Sequence, residues 1–239
     1  MEQLIIQINS ELIENIDENY KKNSARFFKE QILCYGVRMP IVRKIGSKYI
    51  SQVCGIKKQQ ILLICESLLK SDYNENAAIA IQWTSKILEI FGEDDFATFE
   101  SWMKKYINNW AKDDDFCLNL LSHFIVKFPQ CKNQVKSWAL SNNKWMRRAS
   151  AVSFIMGGGR WKVNHAYIGD VFEVAVLLMK DREDLVQKGM GWMLKVAAES
   201  HRKEVFDFII KHKKDMSRTA LRYSIEKMPK EMRIKGMRK

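Results

Sequence analysis

Trp110 stands four residues before Asp114 in the stretch INNWAKDDDFC, residues 107 to 117, of a chain whose formal net charge is +12. If residues 108 to 118 are helical throughout, positions i and i+4 share one face about one turn apart, so the ring and the carboxylate flank one bound group. An aromatic face beside a carboxylate on a basic protein suggests chemistry on nucleic acid. The plainer reading is capping. Asp113, Asp114 and Asp115 directly precede the apolar stretch FCLNLLSHFIVKF, and acids at a helix cap and first turn satisfy free N–H groups and the helix dipole.

The elements that must position these residues are helices. The only prolines are Pro40, Pro129 and Pro229, and apolar residues recur every three or four positions in IAIQWTSKILEIF, AYIGDVFEVAVLLM, DLVQKGMGWMLKVAA and EVFDFIIKH. No period-2 run reads as a strand. Short polar breaks such as LSNNK, MGGGRWKVN, MKDRED and HKKDMS join the helices into antiparallel hairpins. The second half repeats three times as an apolar helix, a polar break and a helix opening with cations, at a spacing of roughly 30 to 40 residues. The expectation is a single all-α domain over residues 1–239, a solenoid of about six HEAT-like helical hairpins with a basic tail from about residue 229. In it the second helices align into one wall, bringing Arg147 and Arg148, then Lys188, then Arg218 and Arg222 into a stripe that matches a phosphate backbone.

Composition excludes several classes. With 239 residues and 46% hydrophobic content the chain supplies its own core. Cys34, Cys54, Cys65, Cys117 and Cys131 are odd in number and widely spaced, which argues against a disulfide framework and a zinc site. The four histidines lack ligand spacing, and no metal or cofactor is expected. The N-terminus reads as no secretory signal and no segment as a membrane span, so the protein is expected to be a soluble, cytoplasmic monomer. The nucleophile elbow, the zinc-deaminase signature and the dinucleotide fingerprint are missing from the sequence. Gly157, Gly158 and Gly159 lack a Lys-Ser/Thr sequel and a preceding strand, so they read as a helix-ending loop. Trp83, Trp102, Trp138 and Trp145 are assigned to the core. Gly189 and Gly191, flanking Trp192, suggest a close approach to that helix.

Four short motifs fall in one order: CYGVRMPIVRKI at 34 to 45, NNWAKDDDF at 108 to 116, NKWMRRASAV at 143 to 152 and VQKGMGWMLK at 186 to 195. Together they resemble the AlkD-like DNA alkylation repair family, from about residue 20 to the C-terminal helices. The resemblance implies a right-handed all-α superhelix of HEAT-like repeats with double-stranded DNA across its concave face. It also implies a glycosylase that removes N3- or N7-alkylated purines without extruding the base. Carried over by motif, it places the catalytic aspartate at Asp114, cleft tryptophans at Trp110 and Trp192, and the cleft arginine at Arg148. Asp113 and Asp115 leave that register open. The DNA-contacting set comprises Arg147, Arg148, Lys188, Lys195, Arg218 and Arg222. To it is added an N-terminal aromatic that falls on Phe27, or on Phe28.

These residue types suit that chemistry in their own right. A purine alkylated at N3 or N7 is already cationic, so it departs without a general acid. An oxocarbenium-like sugar develops as the bond breaks, and a nearby carboxylate stabilises it while orienting the attacking water. At about 4 Å and an effective dielectric of about 20, that charge pair is of order 4 kcal/mol, roughly three decades of rate. Two other classes fit the composition: a noncatalytic DNA-binding protein that recognises damaged or branched DNA, in which Asp114 is dispensable, and a protein-binding scaffold with weak salt dependence.

Overall fold

The apolar periodicity does fold as helix. The computed structural model describes residues 2–53 and 55–238, leaving Cys54 outside the described residues. The chain divides into two units, Met1–Asp115 and Phe116–Lys239. The first carries α1 (Glu2–Glu14), α2 (Glu18–Ala25), α3 (Met39–Tyr49), α4 (Lys58–Lys70), α5 (Asn74–Lys86), α6 (Phe96–Tyr106) and α7 (Trp110–Phe116). The second carries a π-helical turn (Cys117–Leu121), α8 (Ser122–Lys127), α9 (Lys132–Ser137), α10 (Lys144–Val152), α11 (Ile168–Leu178), α12 (Asp184–Ala197), α13 (Arg202–His212), α14 (Arg218–Ile225) and α15 (Lys230–Met237). Among the described residues the only β feature is a lone antiparallel bridge between Met156 and Lys162. The basic tail expected from about residue 229 is therefore mostly helix, packed on α13 and α14.

Several helices begin where a short polar side chain holds their free N–H groups. Asn143 accepts from the Trp145 N–H at 2.9 Å to open α10, and Ser217 accepts from Ala220 at 3.1 Å to open α14. In the first unit α1, α3 and α5 pack in succession beside α4 and α6. In the second, α10, α12 and α14 lie side by side, so the three helices that open with cations are neighbours as the repeat pattern requires. Trp83, Trp102, Trp138 and Trp145 are all buried in the core.

Polar ties recur at the repeat period. The Trp83 indole donates to the Gly46 carbonyl at 2.8 Å across 37 residues, and the Tyr106 hydroxyl to Glu66 at 2.9 Å across 40. Lys132 meets Asp170 at 2.7 Å across 38 residues, and Arg160 meets Glu199 at 2.9 Å across 39. Such spacing is what stacked hairpins produce, since each touches the next one along.

The close approach signalled by the two α12 glycines is made by the protein itself. A Cβ on Gly191 would stand 2.6 Å from the Tyr223 Cβ and 2.8 Å from the Ala220 carbonyl oxygen, so this glycine lets α14 seat against α12. A Cβ on Gly189 would stand 3.2 Å from the Arg148 Cγ.

Candidate nucleic-acid interface

In the first unit the site is built on α7. Its cap is Asn109, not an aspartate: the Asn109 Oδ1 accepts from the N–H groups of Ala111 and Lys112, each at 3.1 Å. The cap role therefore falls to Asn109, while Asp113 lies in the first turn as the dipole reading expects and all three acids lie within the helix. Asn109 is held in turn by donating to Asn74 at 2.9 Å. Lys112 folds inward, its Nζ 2.5 Å from the Asp72 carboxylate and 2.9 Å from the Asp72 carbonyl. Burial pushes the Lys112 ammonium below its ordinary pKa, opposed by Asp72.

Successive helical residues turn by about 100°, so three consecutive acids take three directions. Asp113 points into the core and is fully buried. Asp115 meets the Arg43 guanidinium at 2.5 Å, and Arg43 also donates to the Ala78 carbonyl at 2.6 Å. Asp114 is half-buried, four residues after Trp110 on the same helix.

Trp110 is held by the connection between α2 and α3. Its Nε1 donates to the Phe27 carbonyl at 3.3 Å, and the Phe28 ring stacks on it with centroids 5.0 Å apart and planes 18° from parallel. Of the two candidate aromatics, then, Phe28 meets Trp110, while the Phe27 side chain is 76% exposed. Between this connection and α3, α5 and α7 lies a cavity of about 530 Å³, walled by Tyr20, Phe28, Trp110, Arg43 and Asp115. The connection is anchored by Glu75. Its buried carboxylate accepts from the N–H groups of Tyr35, Gly36 and Val37 at 3.1, 2.8 and 3.0 Å. Glu75 and Arg43 were missed from sequence; the available signal was a carboxylate in the first turn of the apolar helix NENAAIAI.

In the second unit the expected cations have different fates. Arg147 is engaged within the protein: its Nε lies 2.5 Å from Asp181, and its Nη1 donates to the Ser141 and Asn142 carbonyls at 2.9 and 3.1 Å. Those partners, with a 3.5 Å bond from Nη2 to Asp181, engage all three guanidinium nitrogens and pin the start of α10 to the break before α12. Arg148 is only 5% exposed and donates from Nη1 to the Leu185 carbonyl, which ties α10 to α12. Lys188 pairs with Asp184 at 2.8 Å, and that hydrogen bond raises its pKa. Lys195 reaches Glu226 at 3.2 Å and lies over the Tyr223 ring. Arg218 donates to the Met237 carbonyl at 3.3 Å. Exposed ion pairs of this kind are worth about 0–1 kcal/mol. Lys188, Arg222, Tyr223 and Arg233 line one recess of about 620 Å³.

Trp192 is half-buried on α12 and meets Trp161 edge to face, with centroids 4.9 Å apart and planes at 75°. Trp161 was also missed from sequence. Among the described residues it is the one tryptophan outside both α- and 3-10-helical turns, in the segment MGGGRWKVN. Among the described residues no group of three or more His, Cys, Asp or Glu is placed to hold a metal, and no helix is long and apolar enough to cross a membrane.

An all-α chain that stacks hairpins at a constant period and lines up the cation-bearing second helices of one unit falls in the class of helical-repeat proteins. Within that class the family model described as DNA alkylation repair enzyme matches residues 8–228, and the chain belongs to that family. The resemblance carried by the four short motifs is borne out. Among solved structures, one described as a predicted DNA alkylation repair enzyme from Enterococcus faecalis is similar in fold, with a TM-score of 0.77 at 14% identity over 90% of this chain and 98% of that one. No curated protein matches the sequence. Family membership makes repair of alkylated DNA the role of this chain and DNA its substrate.

Proposed function

We propose that this protein is a monofunctional DNA glycosylase that hydrolyses the N-glycosidic bond of purines made cationic by alkylation at N3 or N7. The observation that carries this reading is the sorting of the three acids on α7. Asp113 is fully buried and Asp115 lies against Arg43, and Asp114 is half-buried one turn beyond Trp110 on the same helix. In the reaction the glycosidic electron pair leaves with the base and neutralises its positive charge. Water adds to C1′ of the sugar and gives up a proton, and the products are an abasic site and a neutral alkylpurine. The Asp114 carboxylate stabilises the cationic sugar and receives or directs the proton of the attacking water. The Trp110 π face contributes about 0.5–2 kcal/mol toward the same charge. On the second unit, Lys188 and Arg222 bind phosphate, and Arg148, through Leu185, fixes α12 and with it Trp192. The protein acts as a monomer on cytoplasmic, chromosomal duplex DNA.

The test is release of free methylated purine from methylated duplex DNA by the native chain, Asp114→Asn, Asp113→Asn and Asp115→Asn, with DNA binding recorded in the same buffer. Loss of about three decades of rate in Asp114→Asn with binding retained supports the assignment. Unchanged release in that variant moves the carboxylate role elsewhere. No release by the native chain, together with tight salt-sensitive binding, leaves a noncatalytic reader of damaged or branched DNA.

A further inference from the structure

The break between α10 and α11 is more than a helix-ending loop. It folds back as a hairpin, with the Met156 N–H donating to the Lys162 carbonyl at 2.8 Å. Gly158 and Gly159 make the bend with φ of 87° and 142°, values that side chains rarely permit. The hairpin is seated on the π turn. That turn wraps one extra residue, its closing bond running from Ser122 back to Cys117, and the Leu118 carbonyl accepts from the Gly157 N–H at 3.0 Å. A Cβ on Gly157 would stand 2.8 Å from that same oxygen, so the hairpin can sit this close only with glycine there. Val163 is buried and anchors the returning strand.

This construction presents one large side chain. Trp161 is 47% exposed although it packs edge to face with Trp192, and it stands between two exposed cations, Arg160 and Lys162. A tryptophan needed only as core filler would be enclosed, as Trp83 and Trp102 are. An indole left half in water between cations is instead suited to a base face or an unpaired gap in a polyanion, where stacking and phosphate attraction act together.

The geometry points to Trp161 as a second DNA-contacting indole. It extends the Trp192 surface onto a glycine-built hairpin and stacks against DNA at the position that a lost or displaced base leaves open. This rests on reading the chain as a DNA-binding repair enzyme, and it assigns recognition of the gap in the duplex to a residue outside the Asp114 machinery.

The experiment compares the native chain, Trp161→Ala, Trp161→Phe and Lys162→Ala for binding to duplexes with and without one tetrahydrofuran abasic analogue, across a salt series, with thermal unfolding of each protein. Stacking predicts that Trp161→Ala weakens binding to the tetrahydrofuran duplex roughly tenfold while the slope of log affinity against log salt stays unchanged. Trp161→Phe restores most of that loss, and Lys162→Ala lowers the slope by about 1 with little change in preference for the gap. Native affinity in a folded Trp161→Ala overturns the inference. So does a loss that phenylalanine does not restore and that accompanies a lowered melting temperature, because the indole then props the hairpin. Failure of the native chain to bind either duplex removes the DNA-binding reading itself.

Discussion

Replacing Gly191 and Gly189 one at a time by alanine separates helix packing from ligand contact on a single helix. Both substitutions gain about 1 kcal/mol of helix propensity, because glycine is the poorer helix former. At Gly191 the new methyl falls 2.6 Å from the Tyr223 Cβ and 2.8 Å from the Ala220 carbonyl oxygen. Both belong to the α14 framework and cannot rotate aside, so α14 must retreat by roughly 0.9 Å to restore an ordinary separation of about 3.5 Å. Overpacking of this kind costs about 1–3 kcal/mol, and the upper part of the range applies because backbone must move. The net effect is a destabilisation of about 1–2 kcal/mol, which lowers the melting temperature by roughly 2–8 °C in a chain of this size. At Gly189 the nearest atoms are the Arg148 Cγ at 3.2 Å and Nη1 at 3.3 Å, the flexible arm of a side chain. Gly189→Ala is expected to unfold within about 1 kcal/mol of the native protein yet to bind DNA more weakly, since Arg148 is displaced from Leu185. Calorimetric melting and DNA affinity of the two variants give the comparison. A Gly191→Ala protein as stable as the native chain, or more so, would refute the claim that α12 and α14 are in contact through that glycine.

Other outcomes follow from single residues. Glu75→Gln removes the charge that three backbone N–H groups share and is expected to cost about 2–3 kcal/mol by denaturant unfolding. An unchanged midpoint would mean that the connection over Trp110 is held by other contacts. Burial pushes the His123 imidazole below its ordinary pKa of 6.5, against a hydrogen bond to the Gly157 backbone. The unfolded chain therefore takes up the proton first as pH falls, so stability is complete above about 6.5 and declines toward the lower folded pKa. His123→Gln should flatten the melting temperature between pH 7.5 and 5.5 relative to the native chain. Lys188→Ala and Arg222→Ala should each reduce the salt slope of DNA binding by about 1, and Arg147→Ala should leave the slope intact while lowering the melting temperature. The reverse pattern would place Arg147 on the DNA surface.

Much of the fold could be read from local pattern, because helices are short-range objects. Trp83, Trp102, Trp138 and Trp145 sit in apolar stripes of period 3.6, and a stripe of that kind has only one place to go. The alternation of break and cation-opened helix likewise places α10, α12 and α14 as neighbours. Partner choice was less legible. Arg147 and Asp181 are 34 residues apart, and the sequence shows a cation at a helix start without showing that a carboxylate waits in the next break. The same distance hid Glu75, whose three N–H donors lie about 40 residues away. The acidic run was ambiguous for a different reason. A cap and a site share the same composition, and only the Asn109 bonds to Ala111 and Lys112 move the aspartates into the helix. Phe28 could not be separated from Phe27 because neither lies in a helix with a period to follow.

The Arg43 bond to Asp115 spans 72 residues and the Trp110 bond to Phe27 spans 83, about twice the distance between adjacent hairpins. An array held only by neighbours peels from its free ends, one step at a time. A strut that skips a repeat changes that behaviour. Neither α3 nor the stretch after α2 can detach without releasing α7, so in the first unit these pieces open together as one cooperative block. Amide protons there should exchange through a shared event, and the helix carrying Trp110 and Asp114 gains a rigidity that its seven residues could not supply alone.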